Sequence, residues 1–143
     1  MELISKISKH ITFEEATNSD TAVRNGINNT PDTATLERMK LVAEKCFEPL
    51  REWYGKPIRI NSFYRSQQLN VKVGGSATSQ HCKGEAIDIS AGSKAENKKL
   101  FDWCKANLEV DQLIWEYGDK TGPDWVHISY KKSGNRKQIL AIK

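Results

Sequence analysis

The chain has 143 residues, 38% of them hydrophobic and 28% charged, with a mean hydropathy of −0.63, a net charge of +4 and a pI near 8.9. That length suits a single domain over residues 1–143, able to bury a core without disulfides, and no apolar run approaches the roughly 20 residues a membrane span needs. The basic residues are scattered rather than blocked, so they describe a solvated surface that favours anionic partners, not a nucleic-acid footprint or a membrane anchor.

From the N-terminus, Met1–Ile11 (MELISKISKHI) lacks the apolar stretch of roughly 7–15 residues and the cleavage site of a secretory signal. The protein is therefore expected to be made in a cytoplasm, with something else releasing it if it acts outside. Thr12 with Glu15 reads as a capping box, and the first thirty residues, ending in Asn28-Asn29-Thr30-Pro31, as short helical pieces and turns. From about residue 33 to 54, Leu36, Met39, Ala43, Cys46, Phe47, Leu50 and Trp53 recur at steps of three and four, one buried face of a helix. Pro49 lies inside that pattern and should kink or split it. Gly55 and Pro57 close it.

Ile58–Ser62 alternates apolar and polar residues and predicts a half-buried strand. Ala86–Ser90 does the same, with Ile87 and Ile89 facing inward. Ser93 and Glu96 suggest a second capping box opening a helix to about Leu108, with Leu100, Phe101, Cys104 and Leu108 as its apolar stripe. Strands are expected at Gln112–Tyr117, Trp125–Tyr130 and Gln138–Ile142. Helices come early and mid-chain, strands mostly late, which fits an α+β fold with a mainly antiparallel sheet and flanking helices. Three cysteines, an odd number without a CxxC pair, argue against a disulfide framework.

The chemistry concentrates in two stretches. In Ser79–Asp88, strand alternation turns Asp88 away from the core, beside the small Ala86, and Gly84 lets the chain bring His81 back towards it. In Asp124–Ser129, Val126 and Ile128 share one face, and Trp125, His127 and Ser129 share the other. If these strands pair, His127 and Asp88 meet on the open face. Two imidazoles and a carboxylate are a catalytic zinc set, leaving a fourth position for water whose pKa the metal lowers. Asp124, three residues before His127, is the expected general base. Taken singly, His81 also fits a loop histidine and His127 a satisfied core histidine. A metal-free Cys82–His81 couple is disfavoured, because neighbours on an extended chain point to opposite sides.

Ser79-x-His81-x-x-Gly84-x-Ala86-x-Asp88, followed by Asp124-x-x-His127, resembles the zinc D-alanyl-D-alanine carboxypeptidase family, with phage endolysins, D-Ala-D-Ala dipeptidases and, more distantly, hedgehog signalling domains among its relatives. The resemblance extends through Phe13-Glu14-Glu15, Ile60–Ser66, Asn70, Val73-Gly74-Gly75 and Asn135-Arg136. It implies the hedgehog-like zinc peptidase fold, one zinc ion on His81, Asp88 and His127, and Asp124 as base. Arg65 would bind substrate or stabilise the oxyanion, and Ser79 would hydrogen-bond substrate. Gln80 and Glu116 are further candidates to line the cleft.

The expected activity is hydrolysis of an amide bond in peptidoglycan stem peptides, as a carboxypeptidase or endopeptidase. A phage or prophage lysis protein acting as a monomer, reaching the wall after release or carried by a virion, fits that pattern. A zinc-containing binding or virion structural module without turnover is the alternative, since fold alone does not decide catalysis.

Overall fold

A computed structural model describes residues 6–143; Met1–Ser5, the start of the stretch read above for a secretory signal, lie outside the described residues. Two short strands, β1 (Lys6–Ser8) and β2 (Ile11–Thr12), pair antiparallel where only helical pieces and turns are expected from the sequence. Ile7 and Ile11 are buried beneath them. The Glu48 carboxylate ties this hairpin down, accepting from Ser8 Oγ at 2.5 Å, His10 N at 2.9 Å and His10 Nδ1 at 2.6 Å. α1 (Phe13–Thr17) follows with the Thr12–Glu15 capping box complete, then α2 (Asp20–Arg24).

The long apolar pattern becomes three segments: α3 (Thr33–Val42), a π-helical turn (Ala43–Phe47) and α4 (Glu48–Tyr54). Pro49 accounts for the break. It has no N–H to donate to Lys45, and its ring would crowd that carbonyl. The turn widens, and Glu48 N donates to Ala43 O five residues back. The expected buried face is buried except for Trp53, which is 48% exposed and stacks on Trp103 at 5.4 Å between ring centroids.

β3 (Arg59–Ser62), β4 (Ala86–Ser90), β5 (Gln112–Glu116), β6 (Trp125–Ser129) and β7 (Gln138–Ile142) form one sheet in the order β3-β4-β6-β5-β7. All pairs are antiparallel except β5 with β7. α5 (Gln67–Lys72) and a 3-10 turn (Gln80–Lys83) sit in the connection from β3 to β4, and α6 (Lys94–Asn107) in that from β4 to β5. Ser93 caps α6 through Glu96 N, but Glu96 does not complete the box. Its carboxylate accepts from Tyr54 Oη at 2.6 Å instead and pairs with Lys99.

Ile87, Ile89, Leu113, Val126 and Ile128 pack against Met39, Cys46, Phe47, Leu100 and Cys104 from the helices. With one sheet face committed to that core, period-2 alternation sends Asp88, Ile114, Glu116 and His127 to the other face. The 3-10 turn that carries His81 ends at Gly84, whose φ is +72°. A Cβ there would lie 2.7 Å from Met39 Cγ and 2.8 Å from Thr35 O. Gly84→Ala should therefore cost about 1–3 kcal/mol of stability through overpacking and backbone strain, read as a lower midpoint in urea unfolding; an unchanged midpoint would contradict this packing.

Candidate metal centre and cleft

β4 and β6 pair in a register that sets Asp88 directly opposite His127. His127 Nδ1 lies 2.9 Å from Asp88 Oδ1, and His81 Nε2 lies 3.2 Å from Asp88 Oδ2. The imidazoles meet edge to face, 5.3 Å between centroids. One ligand atom from each of His81, Asp88 and His127 falls within 4.8 Å of the others, and among the described residues this is the one such cluster of metal-ligating side chains.

The donor set fits a cation. His81 is buried, and its Nδ1 faces the Phe63 carbonyl at 2.8 Å. A carbonyl can only accept, so the ring proton sits on Nδ1 and the Nε2 lone pair points at the Asp88 carboxylate. Two lone pairs at 3.2 Å require either a second proton or a cation between them. The Phe63 contact is also the outer-shell partner that fixes a ligating imidazole's tautomer. Burial alone would raise the Asp88 carboxyl, yet its hydrogen bonds with His127 and His81 hold it well below the usual carboxylate range. Two imidazoles and a carboxylate, with room left open, are the donor set of a catalytic zinc site.

The cluster lies in a cleft of about 630 Å³, where Arg65, Gly74, Gly75, Ser79, Gln80, Ile114, Glu116, Trp125 and Ile142 also form the walls. Arg65 is held at the backbone: its N–H donates to His81 O at 3.2 Å, and Asn29 clamps its neighbours, accepting from Ser66 N and donating to Tyr64 O. Arg65 Nε is buried without a hydrogen-bond partner among the described residues. Ser79 Oγ accepts from His81 N at 3.2 Å, so it caps the turn that carries the imidazole. Asn70 holds the glycine wall by donating to Ser76 O at 2.7 Å, and a Cβ on Gly75 would stand 2.0 Å from its Oδ1.

Asp124 lies at the bend just ahead of β6, where its backbone N–H donates to Glu116 O at 2.9 Å. Its side chain is exposed and lines a different cavity, with Trp115, Lys120 and Ala141, rather than the metal cleft. The cleft carboxylate is Glu116, on β5 across from Trp125. Burial raises its carboxyl above the usual range; the nearby His127 and His81 oppose that, and Asp88 adds to it. The alternation Gln112-x-Ile114-x-Glu116 is the sequence signal that finds it. Cys82 does not line the cleft, and burial pushes its thiol up, with Arg65 opposing.

A second set of residues braces the centre. Asp111 is fully buried and accepts from Gln80 Nε2 at 3.0 Å, Arg136 Nε at 3.0 Å and Arg136 Nη2 at 2.8 Å. It thereby links the C-terminal segment to the turn that carries His81. Asn135 closes the same segment against Lys131 through two hydrogen bonds.

A three-donor cluster that could hold a metal, in a cleft with a half-buried carboxylate, fits the class of metal-dependent hydrolases. Residues 9–129 match the family model described as Peptidase M15, and the chain belongs to that family. It is similar to the zinc D-Ala-D-Ala carboxypeptidase of Streptomyces albus G, with 39% identity over 62 residues. That segment is 43% of this chain and 24% of the relative, so the chain spans about a quarter of that protein's length.

Two outcomes follow from this geometry. Zinc added to metal-stripped protein should raise the thermal midpoint, since a ligand at 100 times its Kd stabilises by about 2.7 kcal/mol. Asp88→Asn should abolish that rise; an equal rise in the variant would remove Asp88 from the ligand set. Arg136 holds the Asp111 carboxyl well below the usual range. A depressed folded pKa contributes stability that is complete above the unfolded carboxylate's value, about 4, and is lost as pH falls below it. Asp111→Asn should therefore be less stable than wild type at pH 7, with the gap narrowing in urea unfolding at pH 3.5; a gap constant with pH would contradict the ion pair's role.

Proposed function

We propose that this peptidase hydrolyses an amide bond in peptidoglycan stem peptides, with Glu116 rather than Asp124 as the proton acceptor. The observation that carries the reading is the pairing of His81, Asp88 and His127 with Glu116 inside one cleft. The name of the Streptomyces relative supplies the substrate class. The net charge of +4 suits an anionic wall polymer. A lysis or virion role, as in the phage endolysins it resembles, would bring it to that wall.

His81, Asp88 and His127 would hold the zinc, which supplies Lewis-acid polarisation of the scissile carbonyl and a lowered pKa for an attacking water. Glu116 takes a proton from the water as its oxygen bonds to the carbonyl carbon. The C–N bond then breaks, and Glu116 returns the proton to the leaving amine. Its raised pKa suits both roles, because a carboxyl nearer neutrality gives the proton back more readily. Arg65 faces the cleft with an unsatisfied Nε–H, a donor for the carbonyl oxygen as it gains charge or for a substrate carboxylate. Ser79 acts through His81 by holding its turn.

The test is digestion of purified peptidoglycan and defined stem peptides by zinc-loaded wild type, Glu116→Gln and Asp124→Asn, with metal content measured on each. Glu116→Gln should retain zinc and lose about 10²–10⁴-fold in kcat, while Asp124→Asn stays within a few-fold of wild type. Free D-Ala would identify a carboxypeptidase, and new internal N-termini an endopeptidase. A large loss in Asp124→Asn with Glu116→Gln active would restore Asp124 as the base. Bound zinc without cleavage by wild type would favour the binding module.

A further inference from the structure

A second cavity, of about 400 Å³, adjoins the metal cleft and shares Arg65 and Val73 with it. Its helical wall brings Glu15 from α1 and Asp20 from the start of α2; its strand wall brings Arg59 from β3 and Arg65 just beyond it. Asn18, Asn61 and Ser62 fill the polar lining between them. Four charges, two of each sign, thus surround one space. Among the described residues, none of these four side chains forms an ion pair. Glu15 is partly engaged by Thr12, while Asp20, Arg59 and Arg65 make no side-chain hydrogen bond among the described residues.

Glu15, Asp20 and Arg59 are exposed and Arg65 is half-buried, so the four charges meet solvent rather than one another, and together they complement a ligand that carries an ammonium and a carboxylate. Arg65 makes the two spaces continuous. Its unpartnered Nε–H is buried, an unfavourable state until an acceptor arrives. A group lying in the second cavity would therefore belong to the same chain that crosses the metal cleft.

We propose that this cavity is a subsite for a diamino-acid residue of the stem peptide, its free side-chain ammonium towards Asp20 and Glu15 and an adjacent carboxylate towards Arg59. The inference rests on the peptidase reading above and adds a determinant of substrate choice on the Arg65 side of the scissile bond. A charged side chain here is recognised away from the metal, so its contribution falls on KM and leaves kcat unchanged.

The experiment compares stem peptides that share one scissile bond but differ in the diamino residue: ammonium free or N-acetylated, carboxylate free or amidated. Zinc-loaded wild type should show a KM about tenfold lower for the free forms, the equivalent of one charge contact. Asp20→Asn should raise KM about tenfold for the ammonium peptide and leave the acetylated one unchanged. Arg59→Gln should do the same for the carboxylate and its amide. Cleavage of the blocked peptides by each variant reports that it is folded. Equal KM for free and blocked peptides in wild type overturns the subsite while the peptidase stands. Variants that weaken free and blocked peptides alike also overturn it. Failure of wild type to cleave any of the four sinks the peptidase reading, and the subsite with it.

Discussion

The register that places Asp88 opposite His127 on paired antiparallel strands governs the arrangement of the cleft. A one-residue slip of either strand would turn its ligand into the hydrophobic core, bringing Ile87 out in place of Asp88 or Ile128 in place of His127. The core prevents that slip, because Ile87, Ile89, Val126 and Ile128 are all fully buried against the helices. Burying apolar surface on one side of the sheet thus fixes a carboxylate and an imidazole side by side on the other. Such a pair is stable only when its polar atoms are satisfied. Phe63 O satisfies one nitrogen of His81, and a cation best satisfies the convergent remainder.

His81 reaches this pair from a 3-10 turn rather than from the sheet, so its position depends on bracing. Ser79 caps the turn, Gly84 ends it in the left-handed region, and Gln80 binds Asp111 from behind. Asp111 in turn gathers Arg136, and the backbone N–H groups of Lys137 and Gln138 bond to Val110 and Asp111 carbonyls. The parallel strand β7 is thereby tied to the imbedded acid. Residues distant in sequence therefore converge on one ligand. Charge at the cleft is divided as well, with Arg65 on the β3 side of the metal cluster and Glu116 on the β5 side.

Much of this was legible in the sequence, for reasons that differ by element. The strands around Asp88 and His127 announce themselves by alternation, and the α3–α4 region by its three-four spacing, because burial on one face imposes those periods. Pro49 marks the break, but only the fold shows that the backbone answers with a π turn. The β1–β2 hairpin has too few residues to show a period, and its anchor, Glu48, lies some forty residues away. The motif Asp-x-x-His gives proximity along the chain, whereas strand parity decides which side of the sheet a strand residue meets; Asp124, at a bend just ahead of β6, lies outside that rule. Glu116 obeys that parity and needed only the β5–β6 pairing to be placed. Contacts such as Gln80–Asp111 leave no local signature at all.

The most direct test of the central claim is zinc K-edge X-ray absorption on the loaded protein. Three protein ligands from His81, Asp88 and His127 predict a first shell of nitrogen and oxygen alone, at about 2.0–2.2 Å, with imidazole scattering from two rings. A sulfur shell at about 2.3 Å would bring in a cysteine such as Cys82 and contradict the ligand set. Zinc that washes off under conditions where the protein stays folded would contradict the metal centre itself.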